Sequence, residues 1–219
     1  MPLIPEQKRD FYSGPSHLHD NPNRGLQARK RRIIVGMTGA TGSIIGVRVL
    51  EALRKLDVET HLIMSKWAEA TLKYETNDYT PSDIRALATH NHAIKDVSAP
   101  VSSGSFLTDG MIIVPCSMKT LAGVRIGYAD DLISRAADVV LKERRRLVLV
   151  VRETPLSSIH LENMASLSRS GAIIFPPVPA FYTKPETIDD IVDQTVGRIL
   201  DMFHLDTSGF ERWSGMKWK

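Results

Sequence analysis

The sequence predicts an α/β fold, a doubly wound parallel sheet in a single domain. Three observations carry this. Short uninterrupted apolar runs at Ile33–Met37, Thr60–Met64, Met111–Cys116, Leu147–Val151 and Ala172–Phe175 read as strands buried on both faces. The segments between them repeat apolar residues at helical spacing, as crossover helices do. The length, 219 residues, is that of one domain with short appendages. Hydrophobic residues at 42% and charged residues at 24% exclude wholesale disorder. No apolar run reaches the roughly 18 residues of a membrane-spanning helix. The single Cys excludes a disulfide framework and a Cys-based zinc site. A net charge of +3 suits anionic small molecules as well as nucleic acid.

In chain order, residues 1–31 read as a flexible arm, with Pro2, Pro5, Pro15 and Pro22, scattered charges and no apolar period. The arm has no apolar core of a secretory signal, and Glu6, Asp10 and Asp20 are atypical of a mitochondrial presequence. The basic run Arg29–Arg32 reads as a solvated edge before the first strand rather than a nucleic-acid patch. The domain proper is expected over residues 32–206. Helices are predicted at Ser43–Lys55, Lys66–Glu75, Ser82–Thr89 with Ser82 as N-cap, Met118–Val124, Leu132–Arg144 and Ile159–Ser168. A long last helix, Thr187–Phe203, places Ile188, Ile191, Val192, Thr195, Ile199 and Met202 on one side. The tail, residues 207–219, carries Trp213 and Trp218 and is expected to dock on its own body or on a neighbouring subunit.

Ligands of open α/β sheets collect outside the carboxyl ends of the strands. Five predicted strand ends bring small residues, hydroxyls and cations there: Thr38–Ser43, Ser65-Lys66, Ser117–Thr120, Arg152–Thr154, and a Pro-rich loop ending in Phe181-Tyr182. This convergence describes a pocket for a phosphorylated organic ligand. The Gly39–Ser43 turn admits an anion to backbone N–H groups at a helix start, or is a tight strand-to-helix turn with no ligand. It is neither a G-x-G-x-x-G motif nor a P-loop. A dinucleotide site also wants an acid near the second strand's end; Met64-Ser65 stands there, and the hydroxyl suits FMN better than NAD. Arg135 and Lys142, two turns apart, share a helix face that reads as a solvated basic surface or as an anion site together with Arg152-Glu153. Cys116 reads as a small buried residue, since no base is paired with it. His17/His19 and His90/His92 read as surface histidines, lacking carboxylate or Cys companions of metal-site spacing.

These residues carry a resemblance to the UbiX/Pad family of flavin prenyltransferases. The matching segments are VGMTGATGSIIGVRVL (35–50), HLIMSKWAEATLKYET (61–76), SSGSF (102–106), PCSMKT (115–120), SRAADVVLKERRRLVLVVRETPLS (134–157) and PPVPAFYTKPETI (176–188). The resemblance implies a Rossmann-like flavoprotein fold and the transfer of a dimethylallyl group from its phosphate to N5 and C6 of reduced FMN, with no metal. The product, prenylated FMN, would serve a UbiD-type decarboxylase. Gly39, Ala40 and Thr41 would hold FMN with Ser65, Ser117, Met118, Lys119, Thr120 and Arg152. Arg135, Lys142, Tyr182 and Arg198 would bind dimethylallyl phosphate. Lys142 would also act in catalysis, Glu75 and Glu153 would move protons with the Thr41 hydroxyl, and Trp213 would cover the site. Thr41 departs from the Ser of many members by one methyl. The family forms large homo-oligomers, so a dodecamer, or at least a trimer, is expected, with FMN sites near subunit boundaries; no nucleic-acid partner is expected. The arm before the domain hints at a mitochondrial location, with a cytoplasmic one as the alternative.

Three other readings compete. A flavin-dependent cysteine decarboxylase would use a catalytic His and a PASANT-like segment where PCSMKT stands. A direct phenylacrylic acid decarboxylase is the second. A non-enzymatic FMN carrier is the third, and it would have no need of a second anion site.

Overall fold

A computed structural model describes residues 29–208, 210 and 212–215. Six parallel strands form one sheet: β1 (Arg32–Met37), β2 (Glu59–Met64), β3 (His90–His92), β4 (Gly110–Cys116), β5 (Arg146–Val151) and β6 (Ile173–Ile174), in the order β3-β2-β1-β4-β5-β6. Among the described residues, seven α-helices cover it: α1 (Ser43–Lys55), α2 (Lys66–Glu75), α3 (Pro81–Leu87), α4 (Met118–Ile126), α5 (Leu132–Lys142), α6 (Ser158–Arg169) and α7 (Ile188–Asp201). Among the described residues, no helix is long and apolar enough to cross a membrane.

The period of two along each strand divides the core between the faces. Ile33, Val35, Met37, Ile112, Val114, Val148 and Val150 meet α1, α2, α3 and α7. Ile34, Met111, Ile113, Leu147, Leu149 and Val151 meet α4, α5 and α6. All seven residues of β4 are buried, because this central strand has helices on both sides.

Several boundaries differ from the sequence reading. Helix α3 is capped by Thr80 rather than Ser82. Pro81 occupies the first helical position, where its fixed φ is tolerated, so the cap is the residue before it; Thr80 and Asp83 form a capping box. Helix α5 stops at Lys142, since Arg144 takes a left-handed φ of 56° that turns the chain into β5. Helix α7 starts after its N-cap Thr187, and Ile188 is 79% exposed while Val192, Thr195 and Ile199 are buried. The apolar stripe thus continues one turn past the surface it packs on. The arm up to residue 28, with His17 and His19, and Trp218 lie outside the described residues.

His90 and His92 are not merely surface histidines. They form the edge strand β3, whose parallel register sets His90 beside His61 and His92 beside Ile63. His61 is buried; its Nδ1 lies 2.9 Å from His92 Nε2 and its Nε2 lies 3.0 Å from Glu59 Oε1. Burial holds both His61 and His92 below the usual imidazole range. The hydrogen-bonded Arg32 guanidinium holds the Glu59 carboxyl down at about 2.

Candidate active site

The strand order reverses between β1 and β4, and the crevice of a doubly wound sheet opens at that point. Hydrogen bonds carry the sheet past its last paired residues there. Buried Thr38 donates its hydroxyl to the Pro115 carbonyl at 2.7 Å and accepts the Ser117 N–H at 2.9 Å. The Ser65 N–H donates to Met37 at 3.0 Å, and the Arg152 N–H to Cys116 at 3.2 Å. Four strand ends are thereby locked into one shelf carrying the Gly39–Gly42 turn, Ser65, Ser117 and Arg152.

The turn is tight on both sides. A Cβ on Gly39 would lie 2.3 Å from Cβ of Trp67, and Gly42 caps α1 at φ 98°. The Glu75 carboxylate closes the start of α1: it accepts the Gly42 N–H at 3.0 Å and the Ser43 N–H at 2.7 Å. A negative group at a helix N-terminus is favourable, so this anion position is filled by the protein itself. The start of α4 is available instead. Its N-cap Ser117 accepts the Thr120 N–H at 3.3 Å, with the two hydroxyls 3.1 Å apart, and Lys119 is exposed beside them. Arg152 is exposed and has no ion-pair partner among the described residues. Hydroxyls, N–H groups at a helix start and an unengaged guanidinium suit a phosphomonoester, so the residues present fit the phosphate of FMN. Trp67, 76% exposed, adds an aromatic surface that the sequence reading passed over, although it directly follows Ser65-Lys66.

Comparison with known proteins identifies relatives of the chain. The Flavoprotein family model matches residues 23–200. "Flavin prenyltransferase PAD1, mitochondrial" of Saccharomyces cerevisiae is 61% identical over 87% of this chain and 78% of its own. A crystal structure of AnUbiX (PadA1) in complex with FMN and dimethylallyl pyrophosphate is 68% identical. It superimposes with a TM-score of 0.85 over 86% of this chain and 100% of its own. The chain belongs to the UbiX/Pad family of flavin prenyltransferases. A dodecameric FMN-dependent UbiX-like decarboxylase from Escherichia coli O157:H7 is 60% identical, with a TM-score of 0.82 over 84% of this chain and 100% of its own.

The residues matching the UbiX/Pad pattern fall in separate places. Gly39, Ala40, Thr41, Ser65, Ser117, Met118, Lys119, Thr120 and Arg152 line the shelf, with exposed Glu153 next to Arg152. Arg135 and Lys142 stand at the two ends of α5. Arg135 donates to the Ser102 carbonyl at 3.2 Å and pairs with Asp138 at 2.9 Å. Lys142 pairs with Glu143 in the last turn of α5, beside Gly104 and just before β5 begins. That is the amino edge of the sheet, at the other end of α5 from the shelf. Tyr182 meets Trp213 edge to face at 5.5 Å, which joins the loop after β6 to the tail. Arg198 pairs with Asp201 at 2.8 Å, and Arg212 bridges to the same carboxylate at 2.7 Å. Cys116 is fully buried, and burial pushes its thiol up to about 12, which leaves it no role as a nucleophile.

Proposed function

We propose that this chain joins the dimethylallyl group of dimethylallyl phosphate to N5 and C6 of reduced FMN, supplying prenylated FMN to a UbiD-type decarboxylase. One observation carries the reading: the phosphate-ready shelf at the β1/β4 switch point belongs to a chain 68% identical to a protein crystallised with FMN and dimethylallyl pyrophosphate. FMN enters reduced, and as a substrate it supplies the two nucleophilic positions. The residues of this chain do the rest. Ser65, Ser117–Thr120 and Arg152 hold the FMN phosphate and fix the ring over the Gly39–Thr41 turn. The ester C–O bond breaks with its electron pair leaving on phosphate, where Arg135, Lys142 and Arg198 with the Tyr182 hydroxyl stabilise the growing charge. This cation cluster performs what a metal ion performs in most prenyl transfers. Glu153, exposed beside the shelf, and Glu75, through the Thr41 hydroxyl, move the protons: the N5 proton leaves as the C–N bond forms, a proton is delivered to the prenyl double bond so that its far carbon takes the C6 electron pair, and the C6 proton then leaves, the net proton going to the released phosphate.

Lys142 lies at the amino edge, away from the shelf of its own chain, so it serves the shelf of a neighbouring subunit, together with Arg135 of the same helix. Exposed Trp67, Tyr74, Ile126, Tyr128, Phe181 and Trp213 supply apolar surface for such contacts. The UbiX-like relative from Escherichia coli O157:H7 is dodecameric, which supports the same state here. A mitochondrial location follows the name of the Saccharomyces cerevisiae relative; an import assay with residues 1–31 deleted tests it against a cytoplasmic one.

The deciding experiment is mass spectrometry of the flavin after anaerobic incubation with reduced FMN and dimethylallyl phosphate. A flavin heavier by one five-carbon prenyl unit is expected. Unchanged FMN, with carbon dioxide released from phenylacrylic acid by this chain alone, would replace the proposal with the decarboxylase reading.

A further inference from the structure

Parallel register and the period of two place four polar side chains on one face of the sheet at its β2–β3 edge. Glu59 and His61 alternate along β2, His90 and His92 along β3, and His61 stands directly opposite His90. Glu59 Oε1 is 3.0 Å from His61 Nε2 and 3.6 Å from His90 Nε2, and the three donor atoms lie within 4.8 Å of one another. Tetrahedral zinc with bonds of about 2.0–2.2 Å separates its ligand atoms by about 3.3 Å, close to these spacings. The surroundings match those of a metal centre. His61 Nδ1 is held by His92 Nε2 at 2.9 Å, and Glu59 Oε2 by Arg32 Nη2 at 3.1 Å, so both donors are oriented from behind. The Phe106 ring lies edge-on to His61 at 5.2 Å and closes the inner side. The outer side is open, because the His90 side chain is 51% exposed while that of His61 is 4% exposed.

We propose that Glu59, His61 and His90 form a binding site for a divalent first-row transition ion of the zinc type, with water in the fourth position and His92 as the outer partner that orients His61. Two imidazoles and a carboxylate suit such ions and not the oxygen-seeking calcium or magnesium. Ion entry at Glu59 Oε1 displaces the Arg32 Nε contact there and leaves the Oε2 contact in place. The two histidines exchange tautomers: His61 moves its proton from Nε2 to Nδ1, where it donates to His92, and each ring keeps one proton. The site belongs to the start of β2 and to an edge strand of three residues, not to the carboxyl-edge shelf. Its effect is to pin β3, and prenyl transfer does not depend on it.

Cobalt(II) added to the chelator-treated full-length protein tests this. One equivalent per chain is expected to develop the visible absorption of a tetrahedral ion, and zinc is expected to displace it and raise Tm. His90→Ala, at an exposed position, is expected to lose the band while keeping its far-ultraviolet circular dichroism. His92→Ala is expected to keep the stoichiometry and weaken binding by about 10- to 100-fold. The double variant His17→Ala/His19→Ala is expected to bind as the parent does. Absence of a one-equivalent band in the parent protein, or a band that survives His90→Ala or disappears with the His17/His19 pair, overturns the proposal.

Discussion

The Glu75 carboxylate, at the last residue of α2, accepts the backbone N–H of Ser43, the first residue of α1, at 2.7 Å. The end of one helix therefore caps the beginning of another, and it does so at the turn expected to receive the flavin. Gly42 has no side chain with which to cap α1, so Glu75 supplies the acceptor from a distance in sequence. Glu75→Ala should destabilise the fold by about 1–2 kcal/mol, as loss of a charged N-terminal cap does, and lower Tm. Glu75→Gln retains one acceptor oxygen and should lose less. Comparing the two in denaturation and in single-turnover prenylation separates the capping role from the proton role. A proton role predicts that Glu75→Gln slows product formation well beyond its loss of stability.

Lys142 and Arg152 stand at opposite edges of the sheet in one chain. Each single Ala variant should lose about 30- to 1000-fold in rate, the effect of removing a charge-assisted contact to a reacting anion. Oligomers mixed from Lys142→Ala and Arg152→Ala chains should recover activity, because some sites then join an intact Arg152 to an intact Lys142 across a boundary. No recovery on mixing would place both residues in the same chain's site.

Tyr182 and Trp213 form an edge-to-face pair on the surface. Such a pair contributes roughly 0.5–1.5 kcal/mol. Trp213→Ala should raise KM for dimethylallyl phosphate by about 2- to 10-fold and leave FMN affinity unchanged, since the shelf residues are elsewhere. Steady-state kinetics with titration of FMN fluorescence checks both halves.

Cys116 is a fully buried thiol raised to about 12, so it stays protonated through the neutral range and only loses its proton well above it. The native protein should resist iodoacetamide at pH 8, and unfolding in denaturant should expose one alkylatable thiol per chain. Intact-mass measurement with and without denaturant reads this directly. Rapid alkylation of the folded protein would contradict the burial of β4.

A steady light-scattering mass of about 24 kDa with full activity would remove the shared-site reading. The expected result is a large oligomer, in which the exposed Trp67 and Phe181 become covered. Their burial should appear as protection from oxidative footprinting that disappears on dissociation.

The central strands were legible in the sequence because burial on both faces demands continuous apolar residues, and Met111–Cys116 and Leu147–Val151 satisfy that demand without interruption. Strand β3 was not legible. His90-Asn91-His92 has no apolar signature, and it becomes a strand only because the edge of β2 offers unpaired backbone groups next to it. The same neighbour explains the histidine cluster. Glu59 and His61 alternate with His90 and His92 across some thirty residues of chain, so the carboxylate companion absent near His90 in sequence is present beside it in space.

Residue types and local spacing determined the fold class, the crossover helices, and the identities of the hydroxyls and cations at the carboxyl ends of the strands. These depend on short-range properties: strand period, helix period and turn chemistry, each written within about a dozen residues. Tertiary structure decided the partners. It gave the start of α1 to Glu75 and left the start of α4 with only its own Ser117 cap, it separated Lys142 from Arg152 by the length of α5, and it gathered Glu59, His61 and His90 at one edge. The physical reason is that hydrogen bonds and charges act over a few ångströms in space. Which groups come that close depends on parallel register and helix packing, and the sum of local preferences does not contain it.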